Sequence, residues 1–283
     1  MSDTATATII VLFGLCVGSF LNVCIHRLPR GGSLLRPRSR CPGCDYELSW
    51  YDNIPVVSYV FLLGRCRKCG ARINLRYPIV ELLTALVFLW HYWIFDLSAL
   101  MVVRLLFACA LIVLFAIDLE HQLLPNLITL PGIVVGLVFS LAFPPGVLDA
   151  VIGAVVGGGV LWLIGEAYYR YSGQEGMGGG DVKMLAMVGA FLGWKLVLVT
   201  LIISSLTGSI LGMLLIASRR GNMKQALPYG TFLAVGALFA SLYGERVVEW
   251  YAGLYMGTVP FFRWATSGKR GQSPFWKKGT VPE

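Results

Sequence analysis

Long apolar runs recur along this chain and leave it few ways to fold. They fall at 8–26, 79–95, 98–117, 124–143, 147–168, 181–193, 195–217 and 229–246. The hydrocarbon core of a bilayer is about 30 Å thick, and a helix of about 20 apolar residues crosses it. Inside that core each backbone N–H and C=O must find its partner within the protein, which helices achieve locally. With 57% hydrophobic and only 13% charged residues, the composition is that of a membrane protein and not of a soluble core. The fold expected is all-α and polytopic, with about eight transmembrane helices. The sixth run is short, and fusing it with the seventh would make seven.

Charge placement orients the spans. The opening Met1-Ser2-Asp3 carries no cation, and Lys/Arg follow the first run instead of preceding it, so the run reads as a retained span and not as a cleavable signal. Ten Lys/Arg fall between Arg27 and Arg76 (Arg27, Arg30, Arg36, Arg38, Arg40, Arg65, Arg67, Lys68, Arg72 and Arg76). The positive-inside rule puts this segment in the cytoplasm and the N-terminus outside. Eight spans then bring Asp118 and Asp181 to cytoplasmic helix ends, together with Arg219, Arg220 and Lys224. The C-terminal tail disagrees: Arg263, Lys269, Arg270, Lys277 and Lys278 fall outside on this count. Seven spans would bring the tail in but expel Arg219 and Arg220, so eight is kept. The net charge of +8 is attributed to topology and not to nucleic-acid binding, because the cations flank spans. The expected divisions are a first span over 1–26, a cytoplasmic loop module over 27–78, a membrane core over 79–246 and an interfacial or disordered tail over 247–283. The stretch from Arg170 through Gly180 reads as a flexible cytoplasmic loop, and Phe143-Pro144-Pro145-Gly146 as a turn.

Within the polar module, Cys41-Pro42-Gly43-Cys44 and Cys66-Arg67-Lys68-Cys69 form a CxxC…CxxC pair with 21 residues between. Each CxxC puts two sulfurs on one tight turn, and two such knuckles complete a tetrahedral four-thiolate site for Zn²⁺. Gly43 and Gly70 sit where knuckle backbones often need unusual φ. Two disulfides are the other reading, which a reducing cytoplasm opposes. A site closed by four cysteines shapes a loop and does no chemistry, and a metal compensates for the small core of a 50-residue module. Cys16, Cys24 and Cys109 lie in or beside spans and read as small buried apolar residues.

Two aspartates interrupt the apolar runs. Asp118 ends Val113-Leu114-Phe115-Ala116-Ile117, and Asp181 follows Gly178-Gly179-Gly180. A charge at hydrocarbon depth costs roughly 2.5–3.5 kcal/mol on insertion scales, so it has a function or a partner. Two carboxyls that share a proton can hydrolyse a peptide: the ionised one takes a proton from water and the protonated one gives a proton to the carbonyl oxygen. Such a pair titrates as a unit. The glycines bare the backbone for an unwound substrate. Each residue also has a plainer reading, Asp181 as the N-cap of a helix beginning at Val182 and Asp118 as a membrane-boundary residue. Glu120, Glu166 and Glu175 sit at comparable edges, so spacing alone does not choose the pair. The three histidines, His26, His91 and His121, form no HExxH, and no GxSG-type serine segment is present.

In order along 14–250, several segments resemble one family. They are Gly18-Ser19-Phe20-Leu21-Asn22-Val23 with Arg27-Leu28-Pro29, Trp50-Tyr51-Asp52-Asn53-Ile54-Pro55 between the knuckles, Arg76-Tyr77-Pro78-Ile79-Val80-Glu81-Leu82-Leu83-Thr84, Asp118-Leu119-Glu120-His121 with Leu124-Pro125-Asn126, and the GxGD motif Gly178-Gly179-Gly180-Asp181. The ordered set is similar to the type IV prepilin peptidases. The resemblance implies a bifunctional enzyme of the bacterial inner membrane, with its active sites facing the cytoplasm. Such an enzyme cleaves the basic leader of type IV prepilins or type II secretion pseudopilins after Gly, then N-methylates the new N-terminal residue, typically Phe, with S-adenosylmethionine. It implies Asp118 and Asp181 as catalytic aspartates and assigns Cys41, Cys44, Cys66 and Cys69 to a tetracysteine set tied to methyl transfer. Gly64, Asp52 and Glu81 are candidates for the methyl-donor side, the two carboxylates as partners of the substrate amine or as boundary charges paired with loop arginines. No glycine-rich Rossmann loop for S-adenosylmethionine is visible. Alternatives are a GxGD peptidase without methylation and a non-catalytic, zinc-stabilised membrane assembly scaffold.

Overall fold

The computed structural model describes residues 3–34, 36, 38–174, 178–218 and 228–256. Each apolar run becomes a helix. α1 is Asp3–Arg27, α2 the short Val57–Phe61 within the polar module, α3 Arg76–Phe95, α4 Ala99–His121, α5 Asn126–Phe139, α6 Val147–Ser172, α7 Gly179–Leu192, α8 Trp194–Ala217 and α9 Tyr229–Met256. Among the described residues there is no strand, only isolated bridges at Arg40–Glu47 and Arg65–Arg72.

Of these helices, six are long and apolar enough to cross a bilayer: α1, α3, α4, α6, α8 and α9. α5 and α7 have 14 residues each. At 1.5 Å per residue they reach about 21 Å, short of the roughly 30 Å hydrocarbon core. Length and composition therefore give six spans where eight were expected. Fusion of the sixth and seventh runs does not occur, because Gly193 adopts φ +79 between α7 and α8.

Other boundaries also differ from expectation. The loop expected from Arg170 to Gly180 is helical at both ends: α6 continues to Ser172, closed by left-handed Gly173, and α7 starts at Gly179. Glu175 lies outside the described residues, as do Arg219, Arg220, Lys224 and the tail cations from Arg263 to Lys278. α9 runs ten residues past the expected end at 246. The chain divides into two units, Met1–Gly244 and Glu245–Glu283, and the described part of the second is the helical stretch to Met256.

Small residues set the helix packing. A Cβ on Gly14 would stand 2.8 Å from the Ala85 Cα, and one on Gly18 2.7 Å from the Glu81 Cα, so α1 lies backbone to backbone on α3. Gly153, Gly157 and Gly189 do the same for α6 against α7, and Gly136 meets Ala190 and Phe191 across α5 and α7. Without hydrophobic driving force in lipid, such close van der Waals packing is what holds helices together. Phe107 of α4 stacks on Phe191 of α7 at 4.8 Å between centroids, and Trp90 of α3 donates to the Tyr243 hydroxyl of α9 at 2.7 Å.

Candidate functional site

Asp118 sits in the last turn of α4, which Gln122 closes with a left-handed cap bonded to the Asp118 carbonyl. Its side chain is turned into protein; the residue is only 5% exposed. The Thr231 backbone N–H, in the first turn of α9, donates to Asp118 Oδ2 at 2.8 Å. A helix N-terminus presents free N–H groups and the positive end of its dipole, so it favours a carboxylate there. Gly230 makes room for it: a Cβ at that position would be 2.8 Å from Asp118 Oδ2 and 2.9 Å from Leu124 Cδ1.

Asp181 occupies the first turn of α7, half-buried. The helix starts at Gly179 with Gly178 as its N-cap, so Asp181 lies inside the turn and does not cap a helix beginning at Val182. Its own N–H bonds the Gly178 carbonyl at 3.1 Å. Gly230 and Thr231, at the start of α9, border Asp118, and Leu124 links that spot to Gly180, the residue before Asp181, so both aspartates lie at the same end of the bundle. Leu124, buried, packs where side chains are missing on Gly180 and on Gly230, between the two acids. Lys183 of α7 reaches Asn126 Oδ1 of α5 at 2.9 Å and ties the same end together.

The competing glutamates are engaged elsewhere. Glu120 accepts from Arg76 Nη1 at 2.6 Å, and Glu166 pairs with Arg170 at 2.8 Å on an exposed face. The Arg76–Glu120 pair also brings the start of α3, and with it the exit of the polar module, to the end of α4 that carries Asp118.

The four predicted metal-ligating cysteines come together, every sulfur within 4.8 Å of the others. Their two knuckles are built alike. Cys41 N bonds Tyr46 O and Asp45 N bonds Cys41 O, both at 2.9 Å, while Cys66 N bonds Ala71 O at 2.8 Å and Gly70 N bonds Cys66 O at 2.9 Å. The left-handed residue in each follows the second cysteine, Asp45 (φ +53) and Gly70 (φ +70). Gly43, expected to need such a φ, is not among the positive-φ residues. The Cys41–Cys69 and Cys44–Cys66 sulfurs are 3.8 and 4.0 Å apart. A tetrahedron of Zn–S bonds near 2.3 Å has edges of about 3.8 Å, so these two edges are close to those of a zinc-sized site, within a set that spans up to 4.8 Å. Backbone N–H groups of Cys69 and Lys68 hold the Cys66 thiol down to about 6. Cys44, despite the Tyr46 N–H, is pushed up to about 12 by burial and by its three cysteine neighbours.

The methyl-donor candidates are separated by role. Asp52 Oδ1 accepts from Arg67 Nε at 2.8 Å, next to the second knuckle, and its side chain is 1% exposed. Asp52 Oδ2 is buried with no hydrogen-bond partner. Glu81 is buried in the second turn of α3, where Oε2 accepts the Val56 N–H at 2.7 Å. Gly64 has φ +66, and a Cβ there would lie 2.7 Å from the Tyr59 hydroxyl. The loop-arginine pairing therefore describes Asp52, whereas Glu81 holds backbone.

Sequence reasoning missed the α9 contribution. Pro228-Tyr229-Gly230-Thr231 carried a signal, since proline and a small residue at a helix start favour close approach to an acid. Nothing local said which acid.

Residues 12–95 match the Bacterial Peptidase A24 N-terminal domain, and residues 105–213 match the Type IV leader peptidase family. The chain is 39% identical over 272 residues to the prepilin leader peptidase/N-methyltransferase of Aeromonas salmonicida, covering 86% of this chain and 93% of the relative. Against the protein of the same name from Pseudomonas aeruginosa it is 37% identical over 265 residues, covering 85% and 91%. For that of Legionella pneumophila the figures are 34% over 272 residues, 88% and 95%. No solved structure matches. With relatives this similar over nearly their whole length, the chain belongs to the type IV leader peptidase family.

Proposed function

We propose that this chain is a bifunctional enzyme of the bacterial inner membrane that removes the leader of type IV prepilins or pseudopilins after Gly and then N-methylates the exposed residue with S-adenosylmethionine. The observation that carries the peptidase half is that Asp118 and Asp181 lie at one end of the bundle, linked by Leu124 packed against Gly180 and Gly230, with the α9 N-terminus against Asp118. A prepilin helix enters from the lipid and its scissile bond unwinds beside Gly178–Gly180. One aspartate, as carboxylate, takes a proton from the attacking water; the other, protonated, gives its proton to the carbonyl oxygen. The tetrahedral intermediate then collapses, the C–N bond breaks and the amine leaves with a proton.

The methyl-transfer half is assigned to the module 27–78, held by zinc on Cys41, Cys44, Cys66 and Cys69. S-adenosylmethionine supplies an electrophilic methyl group when bound. The chain's part is to hold the new amine, deprotonated, against it. Asp52, with Oδ2 uncommitted next to the second knuckle, is the favoured acceptor for that amine or for the donor; Gly64 and Glu81 shape the surroundings. The Arg76–Glu120 pair sets the module beside the peptidase end, so a membrane-held product need not diffuse between steps. The working divisions are the first span over 1–26, this module, a peptidase core over 79–246 and the tail beyond it, and both active sites face the cytoplasm.

The test is co-expression with a prepilin and mass spectrometry of the pilin N-terminus, which reports the cut site and the methyl count together. Loss of cleavage in both Asp118→Asn and Asp181→Asn is expected. Normal cleavage in either variant overturns the peptidase assignment, and a cleaved but unmethylated wild-type product overturns the methyl-transfer half.

A further inference from the structure

The polar module exposes apolar side chains where a soluble domain would hide them. Trp50 is 80% exposed, Phe61 84% and Leu63 85%, and Val60 adds to the same segment. None belongs to the aspartate pair or the cysteine cluster. α2 carries Val60 and Phe61, and Leu63 follows in a left-handed turn with φ +51. Large apolar side chains left this exposed within one short segment mark an interaction surface.

Three observations say what covers it. The first is depth. Glu81 is five residues into α3 from Arg76, about 7.5 Å along the axis at 1.5 Å per residue. Its carboxylate holds the Val56 N–H at 2.7 Å, so the segment before α2 descends to the second turn of a membrane-spanning helix. The second is backbone satisfaction. Val56 has φ +60 and ψ −47, with Val57 N bonded to Pro55 O at 2.5 Å, a tight three-residue turn that a β-branched residue rarely adopts. Irregular backbone at membrane depth is tolerated only where protein groups satisfy it. Glu81, whose backbone packs against Gly18 of α1, supplies that acceptor. The third is charge. Between Arg27 and Arg76 there are ten Lys/Arg against Asp45, Glu47 and Asp52. Such an excess attracts anionic headgroups.

We infer that Trp50–Leu63 is an interfacial foot that seats the cysteine module on an anionic bilayer surface, with Trp50, Phe61 and Leu63 in the headgroup–acyl boundary and Glu81 as the anchor that draws the segment down. Trp and Phe are favoured at that boundary, since their rings are apolar bodies that tolerate a wet edge. The foot fixes the height of the cysteine cluster above the membrane. It therefore fixes where a membrane-held amine meets the module.

Photo-crosslinking in the full chain tests this. p-Benzoylphenylalanine replaces Phe61 or Leu63, one at a time, in protein reconstituted into nanodiscs containing phosphatidylglycerol, with the same probe at exposed Glu47 as the comparison. Lipid adducts at both positions, at least fivefold above Glu47, are expected. A dominant adduct to a second copy of this chain or to a bound prepilin peptide overturns the inference, as does a lipid yield no higher than at Glu47. The anchor is read separately. Glu81→Ala is expected to cut the Phe61 lipid adduct severalfold, while Glu81→Gln, which keeps an acceptor oxygen, retains it. Equal yields in both variants overturn the role of Glu81. The crosslinks in otherwise unaltered protein stand even if Glu81→Ala fails to fold.

Discussion

Gly230→Ala is the most direct probe of the aspartate site, because it adds one carbon and no charge. The new Cβ would stand 2.8 Å from Asp118 Oδ2, 3.0 Å from Asp118 Cγ and 2.9 Å from Leu124 Cδ1. Ordinary carbon contacts begin at about 3.5 Å, so roughly 0.5–0.7 Å must be found. Leu124 is buried and Asp118 is held by the Thr231 N–H, so neither gives way without cost. Overpacking of this kind destabilises by about 1–3 kcal/mol. The catalytic effect is larger than that suggests, since a displacement near 1 Å can cost about a hundredfold in rate. A shift of half to two-thirds of that distance predicts a loss of cleavage rate of about ten- to twentyfold, or about 1.4–1.8 kcal/mol in the barrier. The assay is initial cleavage rate of a purified prepilin in proteoliposomes, with methylation of an already cleaved pilin as internal control. Gly159→Ala is the matched substitution, because nothing lies within 4 Å of a Cβ there. Cleavage by Gly230→Ala equal to that by Gly159→Ala would refute the claim that α9 positions Asp118.

Asp118→Asn and Asp181→Asn each remove a carboxyl from proton transfer and are expected to lower cleavage by about 10²–10⁴-fold. Methylation of pre-cleaved pilin persists in both, which separates the sites by mass spectrometry. Cys66→Ser is expected to lose bound zinc, measured by elemental analysis, and to abolish methylation; full methylation by metal-free protein removes the module from that reaction. All four ligands must be thiolates to hold the metal, so acid competes with it: zinc content, read by elemental analysis after dialysis, is expected to be full at neutral pH and to fall as the pH is lowered. Gly18→Leu drives a side chain into the Glu81 backbone and is expected to destabilise the α1–α3 pair by about 1–3 kcal/mol or more, read as a lowered detergent melting temperature.

The order of helices and the cysteine cluster were legible because both are short-range signals. An apolar run is decided by the transfer of its own side chains, and a CxxC knuckle by four adjacent residues with their own turn bonds. Span number was less legible: hydropathy located the α5 and α7 runs, yet both helices stop at 14 residues. The glycine after α7 ends it by conformation and not by polarity, a feature a hydropathy count passes over. Helix ends slipped for a related reason. Arg170 and Ser172 look like loop by charge, yet α6 carries them because backbone hydrogen bonding continues until left-handed Gly173.

By itself the sequence determined an all-helical membrane chain, a four-sulfur knuckle pair and two acids beside apolar runs. Spacing could not choose the acids, since Glu120 and Glu166 sit at equally good edges; the family resemblance is what pointed to Asp118 and Asp181. The Glu166–Arg170 pair is an i,i+4 contact readable along the chain, whereas the pairing of Glu120 with Arg76 comes only with the tertiary structure. It alone placed the first turn of α9 against Asp118, over a hundred residues away in the chain. Hydrophobic patterning is a property of each segment and survives in one dimension. The partner of a carboxylate depends on which helix ends meet, and that is fixed by glycine-lined contacts between segments far apart in sequence.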